Sequence, residues 1–253
     1  MNHGGPLYFP GDGFLFDKFN KLRYTKDMRK IFLIFPVLFL SIANAEVFAA
    51  TFKEVLQKAE QGDSDAQLEV AARYEDGNGV TKDIQEAVAW YTKSAAQGNS
   101  VAQSTLGYIY QYGQGVPRDP QAALLWDRKA AEQGDSYGQL NLAVMLDEGV
   151  DVPEDNQQAA EWYWKAARQG QPRAQLNLGV MYMNGEGVEK DLKQAWELLN
   201  HVRFTSKDKQ AQWLARNSLD KIKKELGVDG PGGPGRFSYP DWDRLQKYVK
   251  NRK

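Results

Sequence analysis

The sequence predicts an all-α fold, a solenoid of stacked antiparallel helix pairs. Three observations predict it: the chain repeats itself at a spacing of 36 residues, each copy carries helix-start and helix-stop residues at fixed offsets, and apolar residues fall three and four apart between those marks. A shift of 36 places Ala66-Gln67 over Ala102-Gln103, Gly138-Gln139 and Ala174-Gln175. Tyr74 falls over Tyr110, Leu146 and Tyr182, and Asp83 over Asp119, Asp155 and Asp191. No insertion interrupts the period over four copies, near 66–101, 102–137, 138–173 and 174–203, and a half copy at 52–65 precedes them.

Each copy reads as two helices. Ser64, Ser100 and Ser136, each with Gln three residues on, are expected to open the first helix as capping boxes, and Pro172 opens it in the fourth copy. The turns Gly77-x-Gly79, Gly113-x-Gly115 and Gly185-x-Gly187 end that helix, since glycine tolerates positive φ; the third copy has Gly149-x-Asp151 instead. The four recurring Asp residues open the second helix, whose buried stripe in the first copy is Ala87, Trp90, Tyr91 and Ala95. Trp90, Trp126 and Trp162 recur in register and read as packing residues. One pair cannot bury its stripe alone, so neighbours must stack into a continuous core. A last helix, capped by Ser206 and Gly227, carries Ala211, Leu214, Ala215, Ser218, Leu219 and Ile222 on one face and is expected to close the open end.

Taken together, these recurring positions resemble the Sel1-like repeat, a relative of the tetratricopeptide repeat, over about residues 52–203. The resemblance implies a right-handed superhelical solenoid over 46–204, followed by the capping helix at 205–227, in a family whose members are mostly protein-binding adaptors. By the related tetratricopeptide geometry it also implies that first helices line a concave face. Tyr108, Gln111, Tyr112, Asp147, Glu148 and Met183 would then face inward, with Tyr137 and Arg173 at the groove edge. Tyr108 and Tyr112 lie off the buried stripe, and exposed tyrosines favour binding patches. The expected site is therefore a groove rimmed by tyrosine with an acidic centre at Asp147 and Glu148.

The two ends read differently. Residues 1–27 show no helical or strand period and are expected to be a disordered leader or a misassigned start, with Met28 the true first residue. Arg29 and Lys30, the apolar run Ile31 to Ile42 and Ala43-Asn44-Ala45 form a secretory signal over 28–45, with cleavage expected after Ala45. The remaining chain carries 26 basic and 30 acidic residues, a balance that suits a soluble periplasmic or secreted protein without membrane insertion. At the other end, 228–253 reads as a Pro- and Gly-rich linker and a tail in which Trp242, Leu245, Tyr248 and Val249 share one side of a possible short helix.

Composition removes several chemistries. With 42% apolar and 26% charged residues the chain has an ordinary globular balance, and its net charge of −1 gives no signal for nucleic acid. Cysteine is absent and histidine occurs only at His3 and His201, so neither a metal site nor a cofactor is expected. The cysteine-rich members linked to β-lactam binding therefore lend this chain nothing. Ser218-Leu219-Asp220-Lys221 matches S-x-x-K, but it lies on the stripe of the capping helix and reads as packing. No catalytic role is expected. The reading is an exported, monomeric scaffold that binds a protein or peptide on its concave face. An immunity protein that neutralises a secreted toxin is the alternative, and a cell-wall hydrolase is the least favoured.

Overall fold

Local capping chemistry accounts for most of the architecture. The structure, a computed structural model, describes residues 51–149 and 151–226; the leader, the signal and the tail expected from the sequence lie outside the described residues. Among the described residues there are ten helices and no strand. Helix α1 covers 51–60, and α2 (Ser64–Asp76), α3 (Ile84–Ala96), α4 (Ser100–Tyr112), α5 (Pro120–Glu132), α6 (Ser136–Glu148), α7 (Asn156–Arg168), α8 (Pro172–Asn184), α9 (Leu192–Thr205) and α10 (Lys209–Glu225) follow. Helices α2 to α8 each have 13 residues, a length of roughly 20 Å at 1.5 Å per residue.

The first-helix starts differ from the sequence expectation. Asp63, Asn99 and Asp135 are the N-caps, and their side chains accept from the amides of Ala66, Ala102 and Gly138. Ser64, Ser100 and Ser136 are already helical, so the glutamine three residues beyond each serine lies one place too far along to reach the cap amide. Second helices start as expected, on Asp83, Asp119, Asp155 and Asp191. The first helices stop at glycines in the left-handed region. Gly149, at φ 60°, shows that the third copy keeps its turn despite Asp151. The final helix also shifts: α9 runs on through Thr205 with Ser206 as its C-cap, and Asp208 caps α10.

The displaced glutamines serve a different purpose. Gln67, Gln103, Gln139 and Gln175 donate to the carbonyls of Ala59, Ala95, Ala131 and Ala167 at the end of the preceding helix. Gln97, Gln133 and Gln169 in turn donate to Gln67, Gln103 and Gln139 at 2.7, 2.7 and 2.9 Å. The result is a partly buried amide ladder that ties each pair to the next. It adds a side-chain bond to helix-end carbonyls that also accept from the backbone amides of Gly62, Gly98, Gly134 and Gly170.

Successive helices pack against one another from α2 to α10, and α4 also meets α6 directly, as α8 meets α10. The first helices thus share a layer. Trp90 in the outer layer is buried, whereas Trp126 and Trp162 are half-buried, with Lys129 and Lys165 lying over their rings at 4.4 and 3.4 Å. The apolar core is not continuous. One cluster runs from Ala59 to Ile109 and another from Ala131 to Ile222, and the fully buried Asp127 sits between them. A methyl added at Gly107 would lie 2.1 Å from an Asp127 carboxyl oxygen, so the glycine gives that carboxyl its space.

Candidate functional site

The first-helix layer holds an open groove of about 770 Å3. Val101, Ser104, Thr105 and Tyr108 of α4 form one wall, and Tyr137, Leu140 and Asn141 of α6 form the floor. The N-terminal turn of α8, with Pro172 and Arg173, and the α9–α10 connection over 205–208 close the far side. These residues line up because first helices recur in register, so residues near the start of α4, α6 and α8 come side by side. The volume suits a few residues of peptide.

The lining is apolar and open. Val101 is 49% exposed, Tyr108 43% and Tyr137 63%, a patch of large apolar groups that isolated surface positions do not form. Tyr112, four residues after Tyr108 and hence on the same helix face, places its ring 4.7 Å from that of Tyr108. At the rim Arg173 Nε lies 3.5 Å from an Asp208 carboxylate oxygen. The backbone N–H of Ala211 holds the Asp208 carboxyl below its ordinary range, with further help from Gln210 and Arg173, so the rim keeps both charges. Beneath the floor, the Asn141 side-chain amide donates to Asp127 Oδ1 at 2.9 Å.

The expected site residues separate into three places. Tyr108, Tyr137 and Arg173 share the groove, with Tyr112 beside it. The acidic centre is corrected. Glu148 lines a different hollow of about 130 Å3 with Tyr112, Gln111 and Arg118, and Asp147 lines a third, of about 220 Å3, against α8 and α10. The two side chains are adjacent in α6, and the helical rotation of about 100° per residue sends them to opposite flanks. Met183 is 7% exposed and packs in the core, and Gln111 is likewise buried, because these positions face the second helix of their own pair. Glu75 and Asp147 show the same direction at the equivalent positions, accepting from Tyr91 and Tyr163 across the pair.

Several participants escaped the sequence reading. The 205–208 connection enters the groove only because α9 ends later than expected. Asp151, which replaces the second glycine of the third turn, pairs with Arg118 of the preceding copy. Leu214, placed on the buried face by period, is 38% exposed. Ser218 is buried while Lys221 is exposed, so the S-x-x-K residues do not face one space. His201 is half-buried and its imidazole is pushed down by that burial. Among the described residues, no group of three His, Cys, Asp or Glu could hold a metal ion, and no helix is long and apolar enough to cross a membrane.

Stacked pairs with a lateral groove define a helix-pair repeat protein. A family model described as Sel1 repeat matches residues 64–99, 100–135, 136–171 and 172–200, more than half of the 253 residues, and the chain belongs to that family. The matched units begin on the first helical residues Ser64, Ser100, Ser136 and Pro172. A Sel1 repeat protein from Oxalobacter formigenes, known from a crystal structure, is 28% identical, with 81% of this chain and 78% of that chain covered and a TM-score of 0.63. A protective antigen of uropathogenic Escherichia coli strains with an SLR fold is 25% identical, covering 76% of this chain and 61% of its own, at a TM-score of 0.40. Helicobacter pylori cysteine rich protein B is 24% identical over 51% of this chain and 92% of its own, at a TM-score of 0.41. No curated protein matches the chain. The Sel1 repeat fold is a protein-interaction scaffold, and its members are typically non-enzymatic.

Proposed function

We propose that this chain is an exported, non-catalytic adaptor that seats a peptide segment of a protein partner in the groove between α4, α6 and α8. The observation that carries this reading is the 770 Å3 groove with Val101, Tyr108 and Tyr137 exposed along it. Rigid aromatic rings give large contact area at low entropic cost, and the Arg173–Asp208 pair at the rim supplies polar recognition. Export rests on the sequence alone: Arg29, Lys30, the apolar run and Ala43-Asn44-Ala45.

Both parts are testable. The immobilised chain should capture a partner from cell-envelope extract, and Tyr108→Ala with Tyr137→Ala should abolish that capture while the helical circular dichroism stays unchanged. Both side chains are exposed, so the fold has no need of them. Undiminished capture by the double variant would remove the groove from the account. Mass spectrometry of the protein from its native host should find Glu46 as the first residue; a chain still beginning at or before Met28 would refute cleavage, and a chain recovered only from the cytoplasmic fraction would refute export.

A further inference from the structure

The hollow that Asp147 lines is separate from the groove. This 220 Å3 pocket lies where α6 ends against α8 and α10. It shares no lining residue with the groove, so its occupant is independent of whether a partner peptide binds there. Leu176, Val180, Met181 and Leu214 give it an apolar lining, and Asp147 and Glu186 place two carboxyl groups on its border. No Lys or Arg is among its lining residues. Leu214 is 38% exposed although Ala211, Ala215 and Ser218 on the same helix are buried. An apolar hollow with a one-signed acidic border fits a basic, amphipathic segment.

The chain itself supplies such a segment. Residues 227–253 follow α10, the helix that contributes Leu214 and Ser218 to the pocket. Between 228 and 253 there are six basic and three acidic residues, and Trp242, Leu245, Tyr248 and Val249 fall on one side at helical spacing. Lys247 lies among them and Lys250 follows directly. From Ser218 the helix runs about 12 Å to Leu226, at 1.5 Å per residue. The sixteen residues from there to Trp242 span up to roughly 50 Å, with the breaker run 229–235 free of any helical requirement, so the segment reaches back with length to spare. Tethering gives it an effective concentration on the order of millimolar, which favours it over a second copy or a free partner of equal intrinsic affinity.

We propose that residues 236–253 dock in cis on this pocket, with an apolar side chain of the Trp242–Val249 stretch against Val180, Met181 and Leu214 and the lysines beside Asp147 and Glu186. The full chain is a convenient subject, because zero-length carbodiimide coupling joins lysine to a carboxylate only when the two touch. At high dilution, peptide mapping should find Lys247, Lys250 or Lys253 joined to Asp147 or Glu186 within one chain. Trp242→Ala with Leu245→Ala leaves every lysine and acid in place and should remove most of those links. The proposal is overturned if the tail lysines couple to no layer acid, if they couple equally to acids of the outer helices such as Glu86 and Glu132, if links form only between chains, or if the double variant couples as well as the native chain.

Discussion

At the same place in the repeat, the second and third helix pairs bury opposite chemistry. Tyr163 in α7 donates its hydroxyl to Asp147 of its own pair at 3.2 Å and accepts from Asn177 of the next pair at 2.9 Å. Thirty-six residues earlier stands Asp127, which accepts from Asn141 at 2.9 Å through one oxygen and leaves the other, Oδ2, buried without a hydrogen-bond partner. Asn141 and Asn177 are themselves equivalent. The same asparagine therefore meets a satisfied phenol in one pair and a half-satisfied carboxyl in the other. The apolar core stops on either side of the carboxyl and continues through the phenol. The repeat framework, fixed by caps, glycines and the glutamine ladder, survives a local loss of apolar burial. The groove lies above that loss, since Asn141 both lines the groove and holds Asp127.

The largest test of the contrast is Tyr163→Ala. It empties a side chain that is 1% exposed and strands Asp147 and Asn177, so urea unfolding should show a loss of about 3–5 kcal/mol. A loss below about 1 kcal/mol would mean that the third pair is no better packed than the second. Next is Gln103→Ala, which removes one rung of the ladder and two of its hydrogen bonds, one to the Ala95 carbonyl and one from the Gln133 amide. It should cost about 2 kcal/mol, and Gln139→Ala about the same, because the ladder is common to both pairs.

Asp127→Asn acts with the opposite sign. Burial pushes the Asp127 carboxyl well above its ordinary 3.8, Asn141 opposes the rise, and Asp135 adds to it. The folded chain therefore holds this proton more tightly than the unfolded chain, and the stability it confers at low pH is lost as pH rises from near 3.8 through the raised folded value. The asparagine variant should be more stable than the native chain by about 1–2 kcal/mol at neutral pH and should lack that part of the slope. The difference between the two pH curves isolates Asp127 from Asp147 and Asp208. A native chain at least as stable as the variant at every pH would contradict the buried, unpartnered oxygen. The smallest effect belongs to Arg118→Ala. It breaks an exposed pair with Asp151 and should shift stability by no more than about 0.5 kcal/mol in denaturant titration.

The framework was legible in the sequence because it is local. Asp83, Asp119, Asp155 and Asp191 cap the helix that begins beside them, and Gly77, Gly113, Gly149 and Gly185 end the helix that precedes them. Tyr108, Tyr137 and Arg173 line one hollow because the shared register carries them to one layer. The glutamine ladder was visible as a recurrence but misread as capping, since its bonds cross 30 residues of chain. The burial of Gln111 and Met183 depends on how far each helix is turned toward its partner, and period alone places them only to within one residue. Asp127 was readable in principle: it stands where Tyr91 and Tyr163 stand, and a charge at a buried aromatic position marks a special environment.

The claim that the first-helix groove receives a partner is tested most directly by amide hydrogen exchange of the full chain with and without the captured protein. Protection confined to Val101–Tyr108 of α4, to the starts of α6 and α8 and to the 205–208 connection is the predicted result. Protection of the outer helices α5 and α7, with the α4 and α6 segments that carry Tyr108 and Tyr137 left unchanged, would contradict it.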